Sequence, residues 1–405
     1  MKLSVFSGQY FWFDGKHYST DEAFVKFVTS FCPYFEKIVF CDAVKEETRT
    51  QAYILDPTRT EICALPYFSV YSFWRNMLVI FPKIYRVVVD NIHDWDLVWL
   101  PMPHPVSLLF AHVCRREQRP FFLIVRQNLM EQVRHRNKGI KRFLAIAAVA
   151  ILDYLSKKLA EKNLTFTVGK EMYDAYNTRG KEVYQIAVSL VSERDIEDTA
   201  RSKSFELHRP VRLLSVGRLD PEKGIHFLIE ALDQLIKGNR LEVVLQIVGK
   251  GFKDGEERKL HRDVERRQLT RYISFLDYVV HGEELLDVYR QSDIFVLPSL
   301  TGEGIPQTLF EAMGCGIPVI ATRVAGIPHV ILNGVDGLLI NPGSPREISN
   351  AVELLVIDSR LRNHLVKNGF ETARKHTLET ERDQMFSCIE RFLRQKGLTG
   401  IEQKL

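Results

Sequence analysis

The sequence predicts an α/β protein made of two parallel-sheet domains that face each other across a cleft. Short apolar runs, which are typical of buried strands, alternate with longer helical runs along the 405-residue chain. This alternation is interrupted once, by the polar and charged residues 192–210, which we interpret as the linker between two domains, and then resumes. Because a single core stops growing at roughly 250–300 residues, we expect two domains, at residues 1–205 and 206–377. Residues 378–405 are predicted to contain a C-terminal helix.

In each half, the apolar runs predict the strands of one parallel sheet, and the helical runs predict helices that cover both of its faces. The strands predicted in the first half are residues 3–6, 38–41, 97–100, 121–125 and 164–168. The strands predicted in the second half are residues 211–216, 243–248, 271–276, 294–297, 317–321 and 338–340. In the first half we expect a loop with Gly8 and Gly15 after the first strand, followed by a helix from about Asp21. Two further helices are expected, one over residues 67–89 that breaks near Pro82 and an apolar one over residues 143–155.

The bulk composition excludes several classes of protein. The net charge of +4 is too small to indicate a nucleic-acid partner. The six cysteines show no short spacing, so they predict neither a zinc site nor a disulfide framework, and they fit a reducing cytoplasm. The first residues lack the apolar core of a signal peptide, and no apolar run is long enough to span a bilayer. We therefore expect a cytoplasmic protein that does not cross a membrane.

The stretch from Asp293 to Ile331 concentrates candidate site residues. A predicted strand ends at Pro298, a polar loop follows, and Pro306 marks the start of the next helix. Free N–H groups at a helix start attract anions, while the carboxylates of Glu303 and Glu311 suit the hydroxyls of a sugar or a ribose. The expected ligand is a phosphate that carries sugars. The alternative is an ordinary strand–helix–strand unit with solvated glutamates.

A second candidate loop runs from Gly217 to Gly224 and opens the first helix of the second half. It holds two cations, Arg218 and Lys223. A leaving nucleoside diphosphate gains negative charge in the transition state, and fixed cations stabilise that charge. The alternative is that both residues are solvated surface charges.

Together these motifs resemble a known family. The pattern E-G-x-P-x-x-x-x-E-A-M, followed by G-x-P-V-I-A-T, resembles the donor-site signature of retaining GT-B glycosyltransferases of family 4. The loop Gly217–Gly224 is similar to the G-R-L-x-x-E-K-G signature of that family. The resemblance implies a GT-B fold with two Rossmann-like domains, and a C-terminal helix that packs back on the first domain. It also implies transfer of a hexose-type sugar, with retention, from a nucleotide sugar such as a UDP- or GDP-sugar. No Asp-x-Asp pair lies beside these motifs, so we expect neither a metal ion nor a cofactor.

The resemblance also implies roles for individual residues. In similar enzymes the residues that match Arg218 and Lys223 hold the diphosphate. The residue that matches Glu311 holds the ribose hydroxyls, and the one that matches Glu303 contacts the donor sugar. Arg218, Lys223 and Glu303 are thus the expected catalytic residues. The further donor-binding candidates are Gly15 for a phosphate, Gly249 and Val279 on the side of the base, and Gly304, Ile305 and Pro306 in the loop between the two glutamates.

The first half departs from the family on the acceptor side. Many relatives have a histidine after the strand at residues 121–125, but this chain has Arg126-Gln127-Asn128 there. The acceptor-side candidates are therefore Arg126, Asn128 and His104, and the expected acceptor is a lipid-linked or polysaccharide precursor. Two other functions stay open. One is a nucleotide-sugar epimerase of the same fold, and the other is a non-catalytic subunit that binds a nucleotide sugar.

A basic segment precedes the apolar helix of the first half. Between Arg115 and Arg142, nine basic residues stand against two acidic ones, a local charge of +7. The basic residues 134–138 lead directly into the apolar residues 143–155. Because basic residues near an anionic leaflet contribute about 1 kcal/mol each, this segment predicts peripheral docking on the inner face of the membrane. The alternative is a core helix beside a solvated basic face.

Overall fold

The computed structural model divides the chain into two compact units. Unit 1 consists of Met1–Ile186 and Arg382–Leu405, and unit 2 consists of Ala187–Glu381. The domain limits predicted from the sequence, after residues 205 and 377, differ from these. The structure describes residues 1–46, 50–67, 76–126, 129–130, 133, 140–177, 182–202, 206–238, 241–251, 254–301 and 304–398.

Unit 1 is built around a seven-stranded parallel sheet. The strands in its described part are β1 Lys2–Val5, β2 Tyr10–Phe13, β3 Tyr18–Thr20, β4 Lys37–Phe40, β5 Ala43–Glu46, β6 Tyr53–Ile54, β7 Thr60–Ile62, β8 Leu97–Met102, β9 Phe121–Val125, β10 Thr165–Val168 and β11 Val183–Ile186. The main sheet has the order β11-β10-β9-β8-β1-β4-β7. β8 and β9 are almost continuous apolar runs because both faces of the sheet are covered.

Helices pack on this sheet. Those in the described part of unit 1 are α1 Phe24–Thr29, α2 Phe81–Asn91, α3 Pro105–Arg116, α4 Ile140–Ala160 and α5 Lys170–Tyr176. Pro82 lies in the first turn of α2, where its missing N–H would have no helical partner, and a π-helical turn at Asn76–Ile80 precedes it. Ile84 of α2 and Phe110 of α3 are fully buried in the core of the unit. Within the described residues, no helix has both the length and the hydropathy that a membrane crossing needs.

A second, four-stranded sheet lies at the carboxyl edge of the main sheet. β1 and β4 are neighbours in the main sheet, and the chain continues from β1 into β2 and from β4 into β5. β2 and β5 then pair in parallel, and the second sheet has the order β5-β2-β3-β6. The sequence predicted a plain loop between β1 and α1, so this sheet corrects that prediction. Gly15, with a φ of 93°, lies in the turn between β2 and β3. There the Asp14 carboxylate accepts hydrogen bonds from the N–H groups of Lys16 and His17, at 2.8 and 2.7 Å.

Unit 2 is built around a six-stranded parallel sheet. Its described strands are β12 Val211–Val216, β13 Val243–Val248, β14 Ile273–Leu276, β15 Ile294–Leu297, β16 Val319–Thr322 and β17 Leu338–Ile340. Its described helices are α6 Glu193–Ser202, α7 Ile225–Lys237, α8 Asp254–Arg266, α9 Glu283–Arg290, α10 Gln307–Gly314, α11 Pro345–Ile357 and α12 Ser359–Lys375. The strand order is β14-β13-β12-β15-β16-β17. Two parallel-sheet units with covering helices confirm the predicted α/β class.

The charged residues 192–210, which the sequence indicated as a linker, include α6, and α6 packs within unit 2. Ile196 is 1% exposed, and a Cβ added to Gly314 of α10 would lie 3.4 Å from it. Thr199 Oγ1 accepts a hydrogen bond from Arg290 Nε of α9 at 3.0 Å. One face of this polar helix is therefore buried, which is why unit 2 begins before the predicted boundary.

The last helix, α13 Leu378–Gln395, begins in unit 2 and continues in unit 1. In unit 1 the ring of Phe386 stacks on that of Tyr34, with 3.8 Å between the centroids. The Tyr34 hydroxyl also donates a hydrogen bond to the carboxylate of Asp383. From Arg382 onward, α13 therefore packs on unit 1.

Candidate functional site

The carboxyl edge of the unit 2 sheet contains a topological switch between β12 and β15. These strands are neighbours, but β13 lies beyond β12 and β16 lies beyond β15, so the chain leaves them in opposite directions. Open α/β sheets bind ligands in the crevice that such a switch leaves at the carboxyl ends of the strands. Arg218 and Lys223 follow β12, and the loop after β15 leads into α10, which carries Glu311. The structure thus brings the two predicted donor loops to one edge.

Glycines allow the loops at this edge to contact each other directly. A Cβ on Gly249 would lie 2.0 Å from the carbonyl oxygen of Gly217, and one on Gly224 would lie 2.1 Å from that of Pro298. No side chain fits at such distances. Gly249 and Gly224 also have positive φ angles, of 133° and 68°. The loops after β12, β13 and β15 therefore form one closely packed backbone surface.

The loop after β16 extends this surface. A Cβ on Gly326 would lie 2.1 Å from the carbonyl oxygen of Gly304, so the two backbones are in contact. Thr322 Oγ1 donates a hydrogen bond to the carbonyl oxygen of Ser299 at 2.6 Å. The loop after β15 is thus held from both neighbouring strands.

The segment between the two motif glutamates enters α10 as the sequence predicted. Ile305 is 8% exposed, and Pro306 is the N-cap residue of a helix that begins at Gln307. Glu303 lies outside the described residues, so its contact with a donor sugar stays a prediction.

Arg218 is oriented by carboxylates of its own loop. Its guanidinium lies 3.0 Å from Asp220 Oδ2 and 3.9 Å from Glu222 Oε1. The Arg218 side chain is still 49% exposed, whereas that of Asp220 is 9% exposed. Lys223 ends the 3₁₀ turn that precedes α7. A buried carboxylate therefore positions Arg218, and its guanidinium stays accessible to a ligand.

Glu311 is held by two residues that the sequence reasoning missed. It is 3% exposed, and Tyr289 of α9 donates a hydrogen bond to its Oε2 at 2.7 Å. The Nε2 atom of His281 lies 3.4 Å from its other carboxylate oxygen. Burial and the adjacent carboxylate raise the pKa of Tyr289, so its hydroxyl keeps the proton that it donates. Tyr289 follows Leu285 at helical spacing, so the sequence indicates only a core position.

The base-side candidates lie in the loops after β13 and β14. The N–H group of Gly249 donates to the carbonyl oxygen of Leu276 at 3.0 Å. Lys250 Nζ lies 3.7 Å from Asp277 Oδ2, and both side chains are mostly exposed. Val279 is half-buried in the loop that follows. Gly249 and Val279 therefore share the edge with the donor loops, and their contact with a base stays a prediction.

In unit 1, the acceptor-side candidate His104 caps α3. Its Nδ1 atom accepts a hydrogen bond from the N–H group of Val106 at 3.2 Å, and its ring lies 5.0 Å from that of Phe6. Because Nδ1 accepts, the proton of the neutral ring is on Nε2. Burial lowers the pKa of His104 to about 4, so the residue is neutral at physiological pH.

The other acceptor-side candidates follow β9. The guanidinium of Arg126 lies over the ring of Phe24, 3.9 Å from its centroid. Burial lowers the pKa of Arg126. Asn128 lies outside the described residues.

The loop after β1 is held by Asp42, which the sequence reasoning also missed. Asp42 follows β4, is fully buried, and accepts hydrogen bonds from the N–H groups of Ser7 and Gly8 at 3.0 and 2.8 Å. Burial raises the pKa of its carboxyl group to about 7. The sequence placed Gly15 in this loop as a phosphate contact, but the glycine that follows β1 is Gly8, and its N–H group is bound to Asp42. Gly15 lies instead in the turn of the β2–β3 hairpin, which the sequence did not predict.

The residues of the unit 2 site lie in a region shared with known glycosyltransferases. The family model described as glycosyl transferases group 1 matches residues 196–372. The uncharacterized glycosyltransferase MJ1607 from Methanocaldococcus jannaschii is 30% identical over 295 residues, which cover 69% of each chain. The chain spans less than half the length of several other curated relatives. One of these, the amylovoran biosynthesis glycosyltransferase AmsK from Erwinia amylovora, is 33% identical over 148 residues, or 35% of each chain.

Solved structures of similar fold cover nearly the whole chain. Anabaena Alr3699/HepE, solved in complex with UDP and glucose, has a TM-score of 0.69 at 18% identity, over 96% of this chain and 100% of that one. At this identity the likeness shows the fold alone, and it confirms the predicted GT-B class with two Rossmann-like domains. The match to the group 1 model and the similarity to MJ1607 show that the chain belongs to the glycosyltransferases.

Proposed function

We propose that the protein transfers a hexose-type sugar from a nucleotide sugar to a lipid-linked or polysaccharide precursor, with retention of the anomeric configuration. One observation carries this proposal: the accessible guanidinium of Arg218 and the buried carboxylate of Glu311 follow neighbouring strands at a topological switch. The cation suits a diphosphate, and the carboxylate suits the hydroxyls of a ribose. The UDP and glucose bound to HepE support a UDP-sugar as donor, and a GDP-sugar is the alternative. The name of AmsK supports a polysaccharide precursor as acceptor.

In this reaction the diphosphate leaves and the acceptor enters on the same face of the sugar. The bond between the anomeric carbon and the diphosphate oxygen breaks, and the acceptor oxygen bonds to the same carbon. The departing diphosphate takes up the proton of the acceptor hydroxyl. Arg218 and Lys223 stabilise the charge that develops on the diphosphate, and Glu303 contacts the donor sugar. These cations supply the electrostatic stabilisation, so the reaction needs neither a metal ion nor a cofactor.

Incubation with a panel of UDP- and GDP-sugars separates this function from its alternatives. A transferase slowly hydrolyses its donor and releases free sugar and nucleotide. An epimerase forms an isomeric nucleotide sugar, and a non-catalytic subunit binds the donor unchanged. We expect hydrolysis of one donor, with full activity in excess EDTA. Formation of an isomer, or the absence of any turnover, would contradict the proposal, and loss of activity in EDTA would show that a metal ion takes part.

Two lysines of unit 2 provide a matched pair of variants. Lys223→Ala should lower the rate of donor hydrolysis on the order of 10²-fold, because it removes a charge that stabilises the leaving group. Lys237→Ala removes the same charge from the last residue of α7, where the ammonium pairs with Asp233 at 2.8 Å, and should leave the rate unchanged. Equal rates for both variants would exclude Lys223 from catalysis.

The exposed face of α4 supports peripheral docking of unit 1 on a membrane. Phe143, Ile151 and Tyr154 are 74%, 61% and 56% exposed, and Leu155 is 40% exposed. Residues 143, 151 and 155 are separated by multiples of four, so they share one face of the helix. A core helix would bury these side chains. A solvent-facing apolar stripe suits the boundary between lipid headgroups and acyl chains.

Basic side chains lie next to this stripe. A cavity of about 390 Å³ between α3 and α4 is lined by four basic residues, His112, Arg115, Lys158 and Lys162, by one acidic residue, Glu161, and by Leu155 of the stripe. Cations beside an apolar surface suit the anionic headgroups of a cytoplasmic leaflet. The basic residues 134–138 lie outside the described residues. We therefore propose a cytoplasmic protein that docks on the inner face of the membrane to reach a lipid-linked acceptor.

Co-sedimentation with phosphatidylglycerol vesicles tests the docking. We expect binding at low salt that weakens as salt is added, and none to phosphatidylcholine vesicles. The double change Phe143→Ser and Ile151→Ser should weaken binding by at least about tenfold, because each apolar side chain contributes about 1.5–3 kcal/mol when buried. Ile357→Ser in unit 2, at a residue that is 79% exposed, is the control and should bind normally. Wild-type protein that stays in the supernatant would refute docking and leave the transferase proposal intact.

A further inference from the structure

Arg126 is a partly buried cation at the carboxyl edge of the main sheet of unit 1. It directly follows β9. Its guanidinium lies 3.9 Å from the ring centroid of Phe24, which is 5% exposed. Within the described part of the chain, no group forms a hydrogen bond or an ion pair with Arg126. The carboxylate of Glu22 acts on it only as a more distant charge.

This arrangement is unfavourable for a side chain with a purely structural role. Buried charges in proteins are normally paired, and burial disfavours the ionised form of Arg126, which lowers its pKa. The contact with the ring of Phe24 offsets only part of this penalty. A methionine would cover the same ring without any penalty. The arrangement becomes favourable when an anion pairs with the guanidinium.

We propose that Arg126 binds an anionic group of the acceptor, a phosphate or a carboxylate. This inference rests on the proposed transferase function. The planar guanidinium fork pairs with either group through two parallel hydrogen bonds. Ligands of open α/β sheets bind at the carboxyl edge, where Arg126 lies. Arg218 and Lys223 of unit 2 already account for the phosphates of the donor, so the anion that Arg126 recognises belongs to the acceptor.

Thermal unfolding with simple anions tests this site. Protein saturated with UDP is heated in inorganic phosphate, in acetate, and in sodium chloride of equal ionic strength. For wild type we expect phosphate or acetate at about 20 mM to raise the Tm by on the order of 3 °C more than chloride does. Phosphate and acetate distinguish a phosphorylated acceptor from a carboxylated one. No gain over chloride from either anion would overturn the inference.

Three variants separate binding from structure. Arg126→Met should lose the anion-dependent gain in Tm. Without anions its Tm should be unchanged or higher, because the change removes a partly buried charge that is unpaired among the described residues. A variant that retains the gain, or whose Tm falls, would instead assign Arg126 a structural role. Arg126→Lys keeps the charge but lacks the guanidinium fork, so we expect a smaller anion-dependent rise in Tm than in wild type. An undiminished rise would count against recognition by the fork. Lys37→Met removes one charge at the amino edge of the same sheet, where Lys37 lies near Glu61, and should respond as wild type does.

The same measurements distinguish failure of this inference from failure of the proposed function. UDP alone should raise the Tm of wild type and of Arg126→Met equally. If UDP has no effect on wild type, the nucleotide-sugar proposal itself is wrong. If UDP raises the Tm but phosphate and acetate do not, only the acceptor site at Arg126 is wrong.

Discussion

Tyr289→Phe tests whether the carboxylate of Glu311 is positioned by its neighbours. The Tyr289 hydroxyl donates to Glu311 Oε2 at 2.7 Å, and both residues are buried. Hydrogen bonds to charged groups contribute about 1.5–3 kcal/mol, and phenylalanine leaves almost no cavity. We therefore expect the free energy of unfolding to fall by about 2 kcal/mol. The Kd for UDP should rise by about tenfold, because the carboxylate that we propose as the acceptor of the ribose hydroxyls loses a fixed donor.

Tyr272→Phe is the matched control for this experiment. Tyr272 precedes β14 at the opposite edge of the sheet, and its hydroxyl accepts a hydrogen bond from Arg271 at 2.6 Å at an exposed position. Loss of this hydrogen bond should change the free energy of unfolding by less than about 0.5 kcal/mol and leave UDP binding unchanged. Calorimetric titration of UDP and denaturant unfolding measure both effects. Wild-type affinity for UDP in Tyr289→Phe would refute the positioning of Glu311 by this hydrogen bond.

Two other substitutions test the packing of the loops and the titration of a buried group. Gly249→Ala places a Cβ 2.0 Å from the carbonyl oxygen of Gly217 and should lower the Tm by roughly 10 °C. Gly255→Ala is the control and should not lower the Tm, because its Cβ would meet no other described segment within 4 Å. Equal Tm values for the two variants would show that the loops do not touch. Burial raises the pKa of Asp42 from 3.8 to about 7, so the folded protein favours the protonated carboxyl group. The stability that this group contributes is therefore complete below pH 4 and is lost as the pH rises through 7. Between pH 4 and pH 8.5, the free energy of unfolding of Asp42→Asn, measured by denaturant titration, should therefore rise by up to about 4 kcal/mol relative to that of wild type. Parallel pH profiles of the two proteins would show that Asp42 ionises well below pH 7.

The strands of unit 2 could be predicted almost to the residue. The predicted strands at residues 211–216, 243–248 and 294–297 match β12, β13 and β15. Each is a short apolar run followed by glycine or proline, and a strand buried on both faces needs no other pattern. The places of the two predicted donor loops, after β12 and β15, could also be predicted, because the residues of each loop are close together in the sequence.

The features that the sequence did not predict depend on contacts between distant segments. The pairing of β2 with β5 follows from the adjacency of β1 and β4, which no local pattern contains. Asp42 holds a loop that lies 34 residues earlier in the chain, at Gly8. Tyr289 reaches Glu311 across 22 residues, from a helix whose spacing indicates only a core face. The sequence of α6 predicts a linker because its charged residues outnumber the few, such as Ile196, that are buried.

The carboxyl edges of the two sheets differ in the groups that they offer to a ligand. In unit 2 the loops pack through glycine backbones, and the guanidinium of Arg218 stays accessible beside them. In unit 1 the N–H groups of Ser7 and Gly8 in the loop after β1 are bound by Asp42, so that loop has few donors left for a phosphate. The acceptor recognition that we propose for unit 1 therefore depends on side chains such as that of Arg126. Side chains can change without disturbing the backbone, whereas a surface packed through glycines tolerates few changes. This difference is consistent with the match of the family model to residues 196–372, which include the two predicted donor loops.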